Sequence, residues 1–130
     1  MSAAANQGAR ILVVDDDNAI RETLRAILED EGYQVLTAAN GRDALARLEA
    51  TEPPALCIID LVMPVLNGWD LCAELARRPE LARVPVLLVS ANSQLTAPVL
   101  GLETVHVLQK PITFDRLFEY VERYCGPAGQ

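Results

Sequence analysis

Asp15-Asp16-Asp17, Asp60, Ser90 and Lys110 each stand at or just beyond the end of a short apolar run, and their side chains together could do phosphoryl chemistry. Carboxylates gathered in one crevice repel, so Asp15, Asp16 and Asp60 would call for a cation unless one of them stayed protonated. A small set of oxygen donors, without thiolate or imidazole, suits Mg2+, with Mn2+ as the alternative. Magnesium keeps several waters and completes its shell with a phosphate oxygen, so such a metal would clamp a phosphoryl group. Lys110 could neutralise a second phosphoryl oxygen as a compact point charge, and the Ser90 hydroxyl could donate to a third. Asp60 is then available as a nucleophile that forms an acyl phosphate. Lys110 is also the only lysine among eleven basic residues. Each feature has a plainer reading: an acidic cluster at a helix start is favoured by the helix dipole, and a serine after a strand is often a loop or cap residue.

The elements that must position these residues can be read from the apolar pattern. Ile11 to Val14 is a continuous apolar run, the signature of a strand buried on both faces, and it stops at Asp15. Ile20, Leu24, Ile27 and Leu28 follow as the stripe of an amphipathic helix, with Asn18 as its cap and Gly32 as its stop. Val35 to Ala38 is a weaker strand, Arg42 to Ala50 a second helix, and Ala55 to Ile59 a strand running into Asp60. After a turn over Pro64 to Gly68, Trp69, Leu71, Cys72 and Leu75 mark a third helix, and Pro85 to Val89 is a fourth strand ending at Ser90. Val105 to Leu108 is the fifth strand. Thr113 caps a last helix whose inner stripe is Phe114, Leu117, Phe118 and Val121. Pro98 and Gly101 leave room for at most a short fourth helix around Ser93 to Ala97.

Strand and helix alternating five times predict an α/β fold, a doubly wound five-stranded parallel sheet with helices on both faces, for which the flavodoxin-like 2-1-3-4-5 is one of the common orders. Ligands of such sheets bind beyond the carboxyl ends of the strands, where strand order reverses. With strand two at an edge, the ionisable candidates meet in that crevice. The chain has 130 residues, enough for one domain, over residues 10–125 with flexible segments at 1–9 and 126–130. A net charge of -7 has the wrong sign for tracking nucleic-acid phosphates. Three widely spaced cysteines, Cys57, Cys72 and Cys125, read as free thiols of a reduced, cytoplasmic protein, and no apolar run reaches the length of a membrane span.

These residues resemble those of a response-regulator receiver domain, the phosphoacceptor half of bacterial two-component signalling. The resemblance rests on Asp15-Asp16 after Ile11 to Val14, on Asp60-Leu61-Val62-Met63-Pro64 with Asn67-Gly68, on Ser90-Ala91 and on Lys110-Pro111, in the family's order and spacing over nearly the whole chain. It implies that Asp60 is the phosphorylated residue. It makes Asp15, Asp16, Asp60 and the Val62 carbonyl the metal ligands, Ser90 the hydroxyl that moves to the phosphoryl group, and Lys110 its ion-pair partner before a cis Pro111. It further implies phosphoryl transfer from a sensor histidine kinase or histidine phosphotransfer protein, a downstream protein target, and a monomer or weak homodimer acting as a stand-alone domain. Val62 and Asn92, two positions after the acceptor and after the hydroxyl residue, are where the family tunes the lifetime of the phosphorylated state.

Three departures stand out. Val107 occupies the position where the family usually carries a rotating aromatic or histidine, and His106 lies one place off. The Ser90 to Lys110 interval is short and contains Pro98. Asn67 stands where aspartate is commoner. Two other readings remain at this point: a receiver-like scaffold that works unphosphorylated, and a haloacid-dehalogenase-like phosphatase using Asp15-Asp16-Asp17. The second lacks an acidic pair after Lys110 and leaves Asp60 idle. A flavodoxin-like cofactor binder would need a phosphate loop after strand one that is missing.

Overall fold

In the computed structural model the described residues are 9–63, 66–91 and 105–126. They form β1 (Arg10–Val14), α1 (Asn18–Asp30), β2 (Gln34–Ala38), α2 (Gly41–Ala50), β3 (Leu56–Asp60), α3 (Gly68–Ala76), β4 (Val86–Ser90), β5 (Val105–Gln109) and α4 (Phe114–Cys125). All neighbouring strands pair in parallel, in the order β2-β1-β3-β4-β5. The short helix expected around Ser93 to Ala97 lies outside the described residues, as do Pro64 and Val65 of the turn before α3.

The strand side chains alternate between two apolar layers. Leu12, Val14, Cys57, Ile59, Val86 and Leu88 face α2 and α3, meeting Ala44, Leu48, Leu71, Cys72 and Leu75. Ile11, Val13, Ile58, Leu87, Val89 and Leu108 face the other way, onto Leu24 and Leu28 of α1 and Leu117 and Val121 of α4. Burial on both faces is why β1, β3 and β4 read as unbroken apolar runs.

Asp17, not Asn18, caps α1. Its backbone is extended, and its carboxylate accepts from the N–H groups of Ala19 and Ile20 at 2.9 and 3.2 Å. Asn18 is the first helical residue, one position past the place where a side-chain oxygen can reach those donors. Asn40, Asn67 and Thr113 cap α2, α3 and α4 by accepting from Asp43, Asp70 and Arg116. Gly32, after α1, has φ 98°, the left-handed conformation that ends a helix cheaply only at glycine. Two stripe residues depart from expectation: Ile20 is 38% exposed and Phe114 is 56% exposed. Both occupy the first turns of their helices and border a cavity whose other walls include Val13, Ile58 and Val89 of the sheet. Ala9 and Gly126, assigned from sequence to the tails, are tied in. The Ala9 carbonyl accepts from Gln34 N–H at 3.0 Å and the Gly126 carbonyl from the Tyr33 hydroxyl at 2.8 Å.

Candidate functional site

Sheet register brings the polar residues together. Val14 pairs with Ile59, Asp60 with Val89, and Ser90 with Gln109, so Asp15, Asp60, Ser90 and Lys110 lie at one edge of adjacent strands. The ladder continues past the strands: Asp15 N–H donates to Ala38 O at 3.2 Å and Lys110 N–H to Ser90 O at 2.7 Å. Main chain and side chain are therefore fixed together. One carboxylate oxygen each from Asp15, Asp16 and Asp60 lies within 4.8 Å of the others. Lys110 Nζ stands 3.2 Å from Asp60 Oδ1. Asp15, Asp60 and Ser90 are buried, at 5%, 7% and 2% exposure, whereas Asp16 is exposed.

Three carboxylates against one ammonium leave this cluster short of positive charge. Two like charges about 4 Å apart repel by roughly 4 kcal/mol at an effective dielectric near 20. The strain is visible at Asp15, whose pKa is raised above 3.8, chiefly by burial and further by the charges of Asp60 and Asp16. The Asp17 N–H, 2.8 Å from Asp15 Oδ1, and Lys110 oppose that rise without cancelling it. An all-oxygen donor set lacking counter-charge fits a hard divalent cation, and Asp15, Asp16 and Asp60 are the side chains able to hold it. The third aspartate of the cluster is spent on the α1 cap.

Three features of the site were not evident in sequence. Arg21 donates from Nη1 to Asp15 O at 2.8 Å and from Nη2 to Asn18 Oδ1 at 2.5 Å, tying the acidic loop to the first turns of α1. A basic residue one turn into a helix that follows acidic strand-end residues is the signal that could have revealed it. Gly68 N–H donates to Leu61 O at 2.8 Å, and a Cβ there would lie 2.9 Å from Asp60 O. A Cβ on Gly41 would likewise meet Leu66 O at 2.7 Å, so the loop after Asp60 packs directly on the start of α2. Finally, Ile20 and Phe114 open at the same place.

The remaining candidates divide. Val62 beside the cluster is 76% exposed, Ala91 is exposed, and the Lys110-Pro111 peptide is cis. Val107 packs into the layer shared with α2 and α3. His106 points to the other face, where it contacts the Tyr124 hydroxyl and lies 5.6 Å from the Tyr120 ring, too occupied with packing to serve as a base at Asp60. Asn92 lies outside the described residues.

The sequence pattern of the response regulator receiver domain matches residues 11–122. The chain belongs to that family. The receiver is 37% identical to protein PilH of Pseudomonas aeruginosa over 115 residues, which are 87% of this chain and 94% of that protein. It is 40% identical to the alkaline phosphatase synthesis transcriptional regulatory protein SphR of Synechococcus elongatus over 108 residues, 77% of this chain but 41% of that one. The chain thus spans less than half the length of such transcriptional regulators. Among solved structures, Vibrio cholerae chemotaxis protein CheY4 superposes with a TM-score of 0.81 at 28% identity, covering 90% of this chain and 98% of that one. The receiver domain of sensor histidine kinase PA1611 from Pseudomonas aeruginosa, solved with a magnesium ion coordinated in its active-site cleft, gives a TM-score of 0.80 at 26% identity, covering 92% and 98%. Receiver domains are signalling modules of two-component systems that bind Mg2+ at an acidic pocket, and this one has the acidic cluster. Family membership displaces the phosphatase reading. Among the described residues no helix is long and apolar enough to cross a membrane.

Proposed function

We propose that Asp60 accepts a phosphoryl group from a sensor histidine kinase or histidine phosphotransfer protein, and that the phosphorylated receiver signals by binding another protein. The observation that carries this reading is the Lys110 Nζ to Asp60 Oδ1 contact of 3.2 Å inside the carboxylate triad. Asp15, Asp16, Asp60 and the Val62 main-chain carbonyl would hold Mg2+, or Mn2+ in its place, which supplies charge neutralisation for the incoming phosphoryl oxygens. Asp60 projects from the last residue of β3 with its backbone held by the ladder, so its carboxylate meets phosphorus in a fixed direction and positioning does much of the catalysis. Lys110 holds the Asp60 carboxylate before the reaction and pairs with a phosphoryl oxygen after it. The Ser90 hydroxyl, buried at the end of β4, donates to another.

The acceptor adds a phosphoryl charge of about -1.5 to -2, which draws Lys110 and Ser90 inward. Val107 has no ring to turn and His106 is held by its tyrosine neighbours, so the signal leaves through the Ser90 and Lys110 loops, not an aromatic rotamer. Val62 offers no hydrogen-bonding group to an attacking water, so self-dephosphorylation is slow, with Asn92 the remaining polar side chain in the family's lifetime-tuning pair. A phosphodonor with Mg2+ should yield a product whose phosphate is lost at alkaline pH and to hydroxylamine, as an acyl phosphate is. A label stable to both would place it on a hydroxyl and refute the assignment, and Asp16→Ala binding Mg2+ as tightly as wild type would refute the ligand set.

A further inference from the structure

Helical periodicity puts Ile20 and Phe114 in the core, yet both are exposed and both line one cavity of about 610 Å3. Its deeper walls are apolar, with Leu24, Ile27, Ile58 and Ile112 among them, and its polar end is made by Asp15, Asp60 and Lys110. An apolar chamber that ends at Lys110 and at the carboxylates proposed to hold Mg2+ suits, with that cation bound, a molecule with an anionic head and an apolar tail. Places where a local packing rule is broken without compensation are where function is expected.

We propose that this cavity is a subsite for the acyl group of a small-molecule acyl phosphate, so that the receiver takes phosphoryl groups directly from longer-chain acyl phosphates in preference to acetyl phosphate. The inference rests on the reading of Asp60 as acceptor and adds a chain-length preference among acyl-phosphate donors to it. The chemistry is matched. An Asp60 carboxylate oxygen attacks phosphorus, the P–O bond to the acyl group breaks, and the acyl carboxylate departs with the bonding pair. One mixed anhydride replaces another, with no proton, oxidant or further reactant required. The phosphoryl oxygens fall to Lys110 at the polar end, while the acyl chain lies against the rim of Ile20 and Phe114 and the apolar wall behind them. Contacts remote from the reacting atoms then hold the phosphorus near Asp60.

Intact-mass time courses with acetyl, butanoyl and hexanoyl phosphate, at equal subsaturating concentration with Mg2+, test the proposal. A fully buried methylene strengthens binding about fourfold. An open cavity recovers part of that, so the hexanoyl rate constant should exceed the acetyl one by about tenfold. Ile20→Ala and Phe114→Ala should each bring that ratio to about threefold or below. Phe114 is the more exposed of the two and its variant carries the test if Ile20→Ala folds poorly. Equal rate constants for the three donors, or a ratio indifferent to both substitutions, would overturn the subsite, and the cavity would then be a protein-docking groove or a plain void. Labelling by acetyl phosphate alone leaves Asp60 as acceptor while removing the subsite. Absence of labelling by every donor removes both.

Discussion

At the scale of single residues, Asp15 faces two opposed demands: as a proposed cation ligand it must stay close to Asp60 and Asp16, and it is destabilised by that closeness when no cation is there. Its pKa is raised above 3.8, first by burial and then by its acidic neighbours. A carboxyl raised on folding contributes stability fully below its unfolded value, and loses it as pH rises through the raised folded value. In EDTA at pH 7, Asp15→Asn should therefore melt at a higher temperature than wild type, with the gain gone near pH 3. Mg2+ titration of the same variant should show weakened binding. A lower melting temperature at pH 7 would contradict this account of the cluster. Val62 makes the complementary case for kinetics. Its exposed isopropyl group stands two residues after the proposed acceptor, where a polar side chain could hold water. Val62→Asn should shorten the phosphoaspartate lifetime several-fold, read by intact mass after donor removal, since about 1.4 kcal/mol of barrier is a factor of ten. An unchanged lifetime would show that Val62 is not the brake.

At the scale of elements, the close approach at Gly68 couples the site to α3. A Cβ there would press on Asp60 O and Leu61 Cα, each 2.9 Å away, and backbone cannot yield as a flexible side chain can. Gly68→Ala should cost about 1–3 kcal/mol, in the range of overpacking, and should slow phosphorylation by displacing Asp60. Denaturant melts and labelling rates check both, and a variant as stable and as fast as wild type would show that the contact relaxes freely. This contact could not be read from sequence, because it arises between segments that only the fold brings together. The strands were legible for the opposite reason: residues 11–14, 56–59 and 86–89 are buried on both faces, so each announces itself as an apolar run ending at the polar residue it presents. Helix boundaries were less so. Asp17 and Asn18 are both good caps by type, and only the backbone conformation of Asp17 decides between them. Ile20 and Phe114 show the limit of periodicity, which identifies the inward face of a helix but not whether the space beneath its first turn is filled.

At the scale of the whole molecule, two apolar layers separated by one sheet hold every described element, and the three cysteines are buried within them. Burial pushes the thiols of Cys57 and Cys72 up to about 12 and that of Cys125 up to about 11. At pH 8 a disulfide reagent should thus react slowly, with Cys125, at the end of α4, modified first through fraying of that helix. A fast stoichiometric reaction at Cys57 would show that the layer between β3 and α3 opens readily. The proposed phosphorylation site sits at one end of this frame, where β1, β3, β4 and β5 deliver their terminal polar residues to a common point. The most direct test of that arrangement is the intact mass of the native chain and of Asp60→Asn, side by side, after incubation with acetyl phosphate and Mg2+. The native chain should gain the mass of one phosphate, a gain abolished by EDTA, and Asp60→Asn should gain none. Equal labelling of the two proteins would contradict the assignment of Asp60 as the acceptor.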